Sequence, residues 1–268
     1  MQPLANVTPL KPAPRAGSIQ IRNVGQIFKT SSQDVEALRD VSIEVKPGRF
    51  VVLVGPSGCG KSTLLMMMAG LRQQTSGTVL INDAPIPQPD PDRVGVVFQE
   101  PSLFPWLTAE ENVEFPLALR GVAKSERRAK AEDALKLVGL EGFGKRHPHE
   151  LSGGMKQRVS IARGMVQDPP VLLMDEPFAA LDEQTRMTMG DELLRIWAAT
   201  GKTVVFVTHS LTEAVYLADE VVVMSARPGR IVDHLMISLP RPRTYEMLSG
   251  ETFGTLRDRI WRHIKKSA

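Results

Sequence analysis

The sequence predicts an α/β fold in which a largely parallel sheet carries an inserted helical segment. Three nearly unbroken apolar runs, beginning at residues 50, 171 and 204, are typical of strands covered on both faces. A glycine-rich turn follows the first run and precedes an apolar helix. Helical periodicity replaces the strand pattern between Pro101 and about Asp168. We therefore predict a sheet domain that includes residues 19–100 and 169–245, interrupted by a helical subdomain over residues 101–168.

The chain begins with a segment that predicts no packed structure. Residues 1–18 contain four prolines among small and polar residues, and they lack the apolar segment of a secretion signal. We expect a flexible leader there. In the runs around residues 19, 41 and 78, apolar and polar residues alternate more than in the later runs. This pattern indicates an antiparallel part of the sheet with one face more exposed to water.

Helix signals are clear in the inserted segment. Thr108 and Glu111 have the spacing of a capping box. An apolar stripe, consisting of Ala129, Ala134, Leu135 and Val138, precedes Gly139. Residues 246–268 predict a basic helix whose apolar residues lie at helical spacing. Such a stripe is typical of a helix that docks on its own domain, and a membrane-surface or partner-binding helix is the alternative.

Composition sets limits on the function. No apolar run approaches the ~20 residues that span a bilayer, so any membrane function requires another chain. The net charge of +3 is too small to require nucleic acid or lipid as a partner. The single cysteine, Cys59, excludes an internal disulfide and suits a reducing compartment. Cys59 is either a small filler residue or a redox-sensitive thiol within the glycine-rich turn.

The glycine-rich turn predicts a phosphate-binding loop. Its pattern of GxxxxGK[ST] between an apolar strand and an apolar helix places backbone N–H groups and a helix N-terminus around a triphosphate. Lys61 would neutralise the terminal phosphates, and the hydroxyl of Ser62 would ligate Mg²⁺. We assign the whole loop to nucleotide binding: Gly55, Pro56, Ser57, Gly58, Cys59, Gly60, Lys61, Ser62 and Thr63.

Two carboxylates end a later apolar run. Asp175 follows Val171–Met174, where an isolated charge would be costly unless a cation lay near it. We therefore assign Asp175 to Mg²⁺, bound directly or through water. Glu176 is the next residue, and at a strand end it is well placed to polarise a water in line with the γ-phosphate. A solvated carboxylate is the alternative, which the following Pro177 disfavours.

A second helix start has the composition of an anion-binding surface. Ser152 has the side chain of a helix N-cap, and Gly153 and Gly154 follow it directly. Two glycines leave the first backbone N–H groups open to an anion, although an ordinary capped helix would have the same serine. One nucleotide could be held between this surface and the phosphate loop.

Together, the phosphate loop, Leu151–Arg158 and Leu172–Glu176 resemble the ATP-binding subunit of an ABC transporter, and the resemblance extends from Ile19 to about Arg243. It implies a P-loop NTPase fold and further residue roles. Gln99 looks like the Q-loop glutamine that touches Mg²⁺ and the attacking water, and His209 looks like the histidine that contacts the γ-phosphate. Asp182 looks like part of the D-loop between the two sites.

The same resemblance suggests how the adenine is bound. Phe28 occupies what looks like the ring-stacking position, where the family more often has tyrosine. Stacking needs only the face of the ring, so phenylalanine would serve. A core phenylalanine is an equal alternative at this position.

The resemblance also implies activity and partners. We expect ATP hydrolysis with Mg²⁺ by a head-to-tail homodimer around two nucleotides, in which Ser152 and its glycines face the nucleotide of the opposite subunit. The expected partners are a membrane permease and a periplasmic or lipid-anchored solute-binding protein, with the chain at the cytoplasmic face of the inner membrane. Residues 99–108 and 239–243 look like those of nitrate, sulfonate, taurine and bicarbonate importers. Phe104 and Trp106 either dock a helix of the permease or pack within the helical subdomain.

Two other functions are weaker alternatives. A non-transport ABC ATPase that clamps nucleic acid or ribosomes usually has two nucleotide domains or a long coiled coil, and this sequence has neither. A P-loop kinase or GTPase would not need Leu151–Gly154, and the Asn-Lys-x-Asp run that specifies guanine is absent.

Overall fold

A computed structural model describes residues 16–29 and 33–267. The strands are β1 (Ile19–Lys29), β2 (Asp34–Val45), β3 (Phe50–Val54), β4 (Ser76–Ile81), β5 (Ala84–Pro85), β6 (Val94–Val97), β7 (Val171–Asp175), β8 (Thr203–Thr208), β9 (Glu220–Met224) and β10 (Ile231–Met236). The helices are α1 (Lys61–Met68), α2 (Ala109–Leu119), α3 (Lys124–Leu137), α4 (Gly153–Met165), α5 (Glu183–Thr200), α6 (Leu211–Leu217) and α7 (Glu251–Ser267).

The central sheet is parallel except at one edge. Its strand order is β10-β9-β3-β8-β7-β6, and β10 pairs with β9 in the antiparallel direction. The three unbroken apolar runs form β3, β8 and β7, the neighbouring strands inside this sheet, and every residue of β3 and β8 is buried. The prediction of a parallel core is therefore confirmed. Because parallel strands end at one edge, the residues that follow β3, β6, β7 and β8 are brought together there.

A second sheet, of strand order β2-β1-β4-β5, is antiparallel. It covers α1 and one face of the central sheet, and the apolar core between these layers includes Ile19, Val41, Leu64 and Leu53. The antiparallel portion was predicted, and with it the fold class is confirmed. The sequence did not predict β10, since only one of its residues is buried.

The helical subdomain packs on the other face of the central sheet. Its α2, α3 and α4 share a core with β6 and β7. The predicted capping box is present, because the Thr108 hydroxyl accepts from Glu111 N at 3.2 Å while Thr108 N donates to the Glu111 carboxylate at 2.9 Å. One expectation was wrong: Ala129 is exposed, and Ala131 takes its place in the core. Ala131 lies four residues before Leu135, which is the spacing that places both on one helix face.

Both ends of the described chain contact the rest of the domain. Gly17 N donates to Pro170 O and Ser18 N to the Asn82 side chain, so a flexible leader cannot extend to Ser18 as predicted. Residues 1–15 lie outside the described residues. At the other end, α7 buries Phe253 and Ile260 against the core, as expected for a helix docked on its own domain. Within the described ranges, none of the helices is long and apolar enough to span a membrane.

Candidate nucleotide site

The loop between β3 and α1 is closed around a buried lysine. The ammonium group of Lys61 donates to Gly55 O at 2.9 Å and to Pro56 O at 3.1 Å, and the side chain is almost fully buried. Gly60 has a φ of 101°, and a Cβ there would lie 2.5 Å from the Leu38 side chain, so only glycine fits. The loop therefore holds a positive charge next to neutral carbonyls at a helix N-terminus, an arrangement that favours an anion. Cys59, a residue of this loop, is fully buried.

Oxygen ligands suited to Mg²⁺ lie beside the lysine. The Ser62 hydroxyl donates to a carboxylate oxygen of Asp175 at 3.0 Å, which joins the start of α1 to the end of β7. Burial raises the pKa of Asp175 above its usual value of 3.8, and the hydrogen bond from Ser62 opposes this rise. A buried carboxylate that is costly to ionise and a neighbouring hydroxyl together form a set of oxygen ligands. A hard divalent cation binds such ligands and stabilises the charged carboxylate. These residues therefore fit a magnesium ion.

Glu176 and His209, which follow the ends of β7 and β8, form a hydrogen-bonded pair. Nδ1 of His209 lies 2.8 Å from Oε2 of Glu176, with the carboxylate half-buried and the imidazole exposed. Glu176 has a φ of 43°, which is unfavourable for a residue with a side chain. Its N–H is held by Val207 O at 3.0 Å. Backbone strain of this kind tends to occur at functional sites, where it aims a side chain.

A cavity of about 250 Å³ joins Phe28, Glu176 and six of the nine residues assigned to the phosphate loop. Its wall includes Phe28, Ala37, Ser57, Gly58, Gly60, Lys61, Ser62, Thr63, Glu176 and Arg227. Phe28 is half-buried at this cavity and not in the core, and the guanidinium of Arg72 lies 5.0 Å from its ring centre. Arg227, an exposed residue in the turn before β10, was not predicted, because nothing local in the sequence connects that turn with a loop near residue 58.

Gln99 is placed at the same sheet edge but outside this cavity. It follows β6, and Val97 of β6 lies opposite Met174 of β7, so Gln99 comes after the strand that neighbours Asp175. Its side chain is exposed and does not line the cavity. By strand register, Gln99 therefore lies at the same sheet edge as the Asp175 carboxylate, but the two side chains are not in contact.

The serine-glycine helix start lies in a different cavity, of about 390 Å³. Ser152 is the N-cap of α4, as predicted: its exposed hydroxyl accepts from Met155 N at 3.3 Å. Gly154 faces the first turn of α5, where a Cβ would lie 3.1 Å from Thr185. Asp182 caps α5 by accepting from the Thr185 N–H, and this bond lowers the pKa of the carboxyl. Within one chain, this surface and the phosphate loop thus line separate cavities.

Comparisons with known proteins agree with this geometry. The family model of the ABC transporter matches residues 38–179, more than half of the chain. The taurine import ATP-binding protein of Burkholderia pseudomallei is 49% identical over 79% of this chain and 81% of its own. The nitrate import ATP-binding protein of Synechocystis sp. is 44% identical over 90% and 93%, and an aliphatic sulfonates import ATP-binding protein of Bacillus cereus is 40% identical over 93% and 96%.

A solved structure extends the comparison to three dimensions. A dimeric ATP-binding cassette in a post-hydrolysis state, bound to ADP and Pi, is 35% identical with a TM-score of 0.73, covering 83% of this chain and all of that one. The predicted resemblance is confirmed by these matches, and so is ATP as the nucleotide of the family. The chain therefore belongs to the ABC transporter family, as an ATP-hydrolysing subunit.

Proposed function

We propose that the chain hydrolyses ATP to drive an importer for a small anion of the nitrate, sulfonate, taurine or bicarbonate type. The support comes from relatives of 40–49% identity whose names describe taurine, nitrate and sulfonate import. The similarity covers 79–93% of this chain, so it includes the surfaces around the site as well as the nucleotide motifs.

One observation carries the proposal of a head-to-tail homodimer. Ser152 and Gly154 line one cavity, whereas Lys61 and Ser62 line another, so a single chain does not bring the two anion-binding surfaces to one phosphate. A second copy, turned head to tail, would place its Ser152 helix start over the nucleotide held by the first. The dimeric cassette bound to ADP and Pi is a relative in which two copies do assemble.

We infer the roles of the side chains in hydrolysis from their contacts. Lys61 is released from the carbonyls of Gly55 and Pro56 when phosphates compete for its ammonium group. Glu176 accepts the proton of, or polarises, the attacking water, and its bond to His209 holds the carboxylate in position. Ser62 and Asp175 would hold Mg²⁺, which would supply positive charge against the phosphates, and Gln99, which lies outside the cavity, would have to move towards it to be a further ligand.

A surface beside Gln99 is suited to the membrane subunit. A groove of about 550 Å³ is lined by apolar residues that include Leu71, Phe98, Phe104 and Phe115. Trp106 stands next to it with 71% of its surface exposed, its ring 5.6 Å from that of Phe104. An exposed, preordered tryptophan at a groove is typical of an interface anchor. We propose that a short helix of the permease is the occupant.

The loop that carries Trp106 is held in place by the side chain of one buried residue. The buried Asn112 accepts from Phe104 N at 2.8 Å and donates to the carbonyls of Phe104, Leu107 and Thr108. A loop tied at both ends loses little further entropy when a partner binds. The location at the cytoplasmic face of the inner membrane and a periplasmic or lipid-anchored solute-binding protein are part of the same proposal.

Reconstitution of the complete transporter tests the function. The chain, its permease and the solute-binding protein are placed in proteoliposomes, and ATP turnover is measured with nitrate, sulfonates, taurine or bicarbonate. We expect one class of anion to stimulate turnover and to accumulate in the vesicles. Stimulation by DNA or RNA, without any membrane subunit, would contradict the proposal and favour a clamp on nucleic acid.

A further inference from the structure

Arg243 is buried at the far end of the helix that follows His209. Its guanidinium donates to Val215 O at 2.8 Å, to Tyr216 O at 2.9 Å and to Ala218 O at 2.9 Å. The residue is 7% exposed, and burial lowers its pKa to about 10. Among the described residues, its hydrogen-bond partners are carbonyls and not carboxylates. The arginine therefore serves the end of a helix and is not half of an ion pair.

Helix α6 needs such a partner. It has seven residues, a length at which a helix is marginal without tertiary support. Its last carbonyls have no partner inside the helix and carry partial negative charge. The chain leaves α6 at Ala218 in an extended conformation, without the glycine that often closes a helix. Arg243 supplies the missing donors and a positive charge at that end.

The N-terminal end of α6 follows His209 directly in the chain. Ser210, the residue after His209, is the N-cap, and its hydroxyl accepts from Glu213 N at 3.3 Å. Ser210 N donates to the Thr208 hydroxyl at 3.0 Å, which joins the cap to the end of β8. His209 thus lies between β8 and α6, and a rotation or slide of α6 would move its ring relative to Glu176.

A second arginine connects the same end of α6 to two further elements. The guanidinium of Arg241 lies 4.3 Å from the centre of the Trp197 ring on α5, and it donates to Leu217 O and to Asp219. The other carboxylate oxygen of Asp219 accepts from Phe50 N, the first residue of β3. We call residues 239–243 the arginine strap. Through Arg241, the strap ties α6 to the helix that begins after Asp182 and to the strand that leads into the phosphate loop, whereas the Arg243 guanidinium, within the part of the chain that the structure describes, bonds only to carbonyls of α6 and Ala218.

We infer that Arg243 is a positioning residue for His209: by fixing α6 from its C-terminal end, it holds the imidazole at the distance from Glu176 that hydrolysis requires. The inference rests on the proposed catalytic role of His209. Because the phosphate loop and Phe28 lie on other elements, Arg243 should affect the rate of hydrolysis much more than the affinity for ATP.

Arg243→Lys is the direct test. Lysine keeps the charge but lacks the planar fork that reaches three carbonyls. We expect kcat of the full chain at saturating Mg·ATP to fall about tenfold, since small displacements of catalytic groups are costly, while KM for ATP stays within about twofold. Tyr216→Phe is a milder second variant, because it removes the bonds from the Tyr216 hydroxyl to Asp191 and to Arg243 O. For it we expect a loss of about threefold.

Combination with His209→Ala separates positioning from general loss of structure. If Arg243 acts through His209, Arg243→Lys should cost less than about twofold in single-turnover rate once the imidazole is absent. Ile260→Val, on the buried face of α7, is the stability control: it should lower the melting temperature without changing kcat. A full tenfold loss in the His209→Ala background, or an equal loss in Ile260→Val at matched melting temperature, would overturn the inference. Unchanged turnover in His209→Ala alone would instead overturn the proposed role of His209.

Discussion

The carboxylate of Glu176 and the imidazole of His209 are hydrogen bonded at 2.8 Å, although the two residues are 33 positions apart in the sequence. They meet because β7 and β8 are parallel neighbours and each residue follows the end of its strand. Neither side chain is fully buried, so water reaches both. In the proposed mechanism, the pair would hold a water molecule between protein and nucleotide once a phosphate is bound.

Glu176→Gln should separate binding from hydrolysis. The amide keeps the size of the side chain but cannot accept a proton, so turnover should fall by about 10²–10⁴. ATP affinity should be retained, because Lys61 and the loop N–H groups are unchanged, and the variant should accumulate as an ATP-bound dimer. Equilibrium ATP binding, sedimentation and phosphate release measure the three properties.

Glu132→Gln is the matched control, since Glu132 is an exposed carboxylate on α3 away from the site. It should hydrolyse ATP at the normal rate. Near-normal phosphate release by Glu176→Gln would remove that carboxylate from the mechanism, whatever its effect on dimerisation.

Phe28→Ala should weaken ATP binding. The ring is half-buried at the rim of the cavity, and loss of one stacked base commonly costs 1–3 kcal/mol, so Kd should rise about tenfold. Phe28→Tyr keeps the face of the ring and should bind normally. Calorimetric titration with a non-hydrolysable ATP analogue measures both variants. Equal affinity in Phe28→Ala would show that the adenine lies elsewhere.

Trp106→Ala should uncouple the chain from its membrane subunit. The side chain is 71% exposed, so basal turnover and melting temperature should not change. Stimulation of turnover by the reconstituted permease should fall more than about tenfold, in line with the loss of an interface anchor. Trp261→Ala, a 53% exposed tryptophan on α7, is the control and should stay coupled. Normal coupling in Trp106→Ala would move the docking site away from this groove.

Asp233→Asn should loosen the C-terminal helix. Burial raises the pKa of Asp233, but the hydrogen bonds and positive charge of Arg259, together with the His234 N–H and the nearby His263, outweigh it, and the pKa lies below its usual value of 3.8. The stabilisation is therefore complete at neutral pH and is lost as the pH falls below 3.8 through the pKa of the folded state. We expect the variant to lose about 1 kcal/mol in urea unfolding at pH 7.

The pH dependence provides the check on Asp233→Asn. Wild type and variant should converge in stability as the solution becomes more acidic. Asp258→Asn is the control, because the Asp258 side chain is 67% exposed and its nearest contact with Arg257 is 3.8 Å long. A constant difference between wild type and Asp233→Asn at all pH values would contradict the ion-pair explanation for the docking of α7.

Local signals in the sequence predicted the parts of the fold that local physics determines. The runs that became β3, β7 and β8 are apolar throughout because both of their faces are covered. The phosphate loop and the Ser152 cap were predictable because each depends on neighbouring residues only. β10 was not, since an edge strand with one buried residue has no apolar pattern to detect.

The rest of the site depends on contacts between distant segments. No local pattern places Arg227 at the phosphate loop, and none shows that Arg243 reaches the end of α6. The bond between Glu176 and His209 follows from the order of β7 and β8 in the sheet, which the sequence analysis left open. Ala129 was misplaced in the core for a simpler reason: small apolar residues occur on exposed helix faces as well.

Gly153 allows a specific test of the shared site. A Cβ there would meet only the Leu181 side chain, at 3.8 Å, so Gly153→Asp should fold normally within its own chain. Its carboxylate would repel the γ-phosphate bound by the partner copy. Lys61→Ala instead disables the loop that binds phosphate in its own chain. Each variant alone should be inactive, because every site in the homodimer then lacks one half.

Mixing the two variants tests the shared site most directly. Half of the dimers formed from equal amounts contain one intact site, made of Lys61 from one copy and Gly153 from the other, so turnover should recover to about a quarter of wild type. The measurement is phosphate release from the mixture compared with each variant alone. A mixture as inactive as its components, with heterodimers shown to form, would contradict a nucleotide held between two copies.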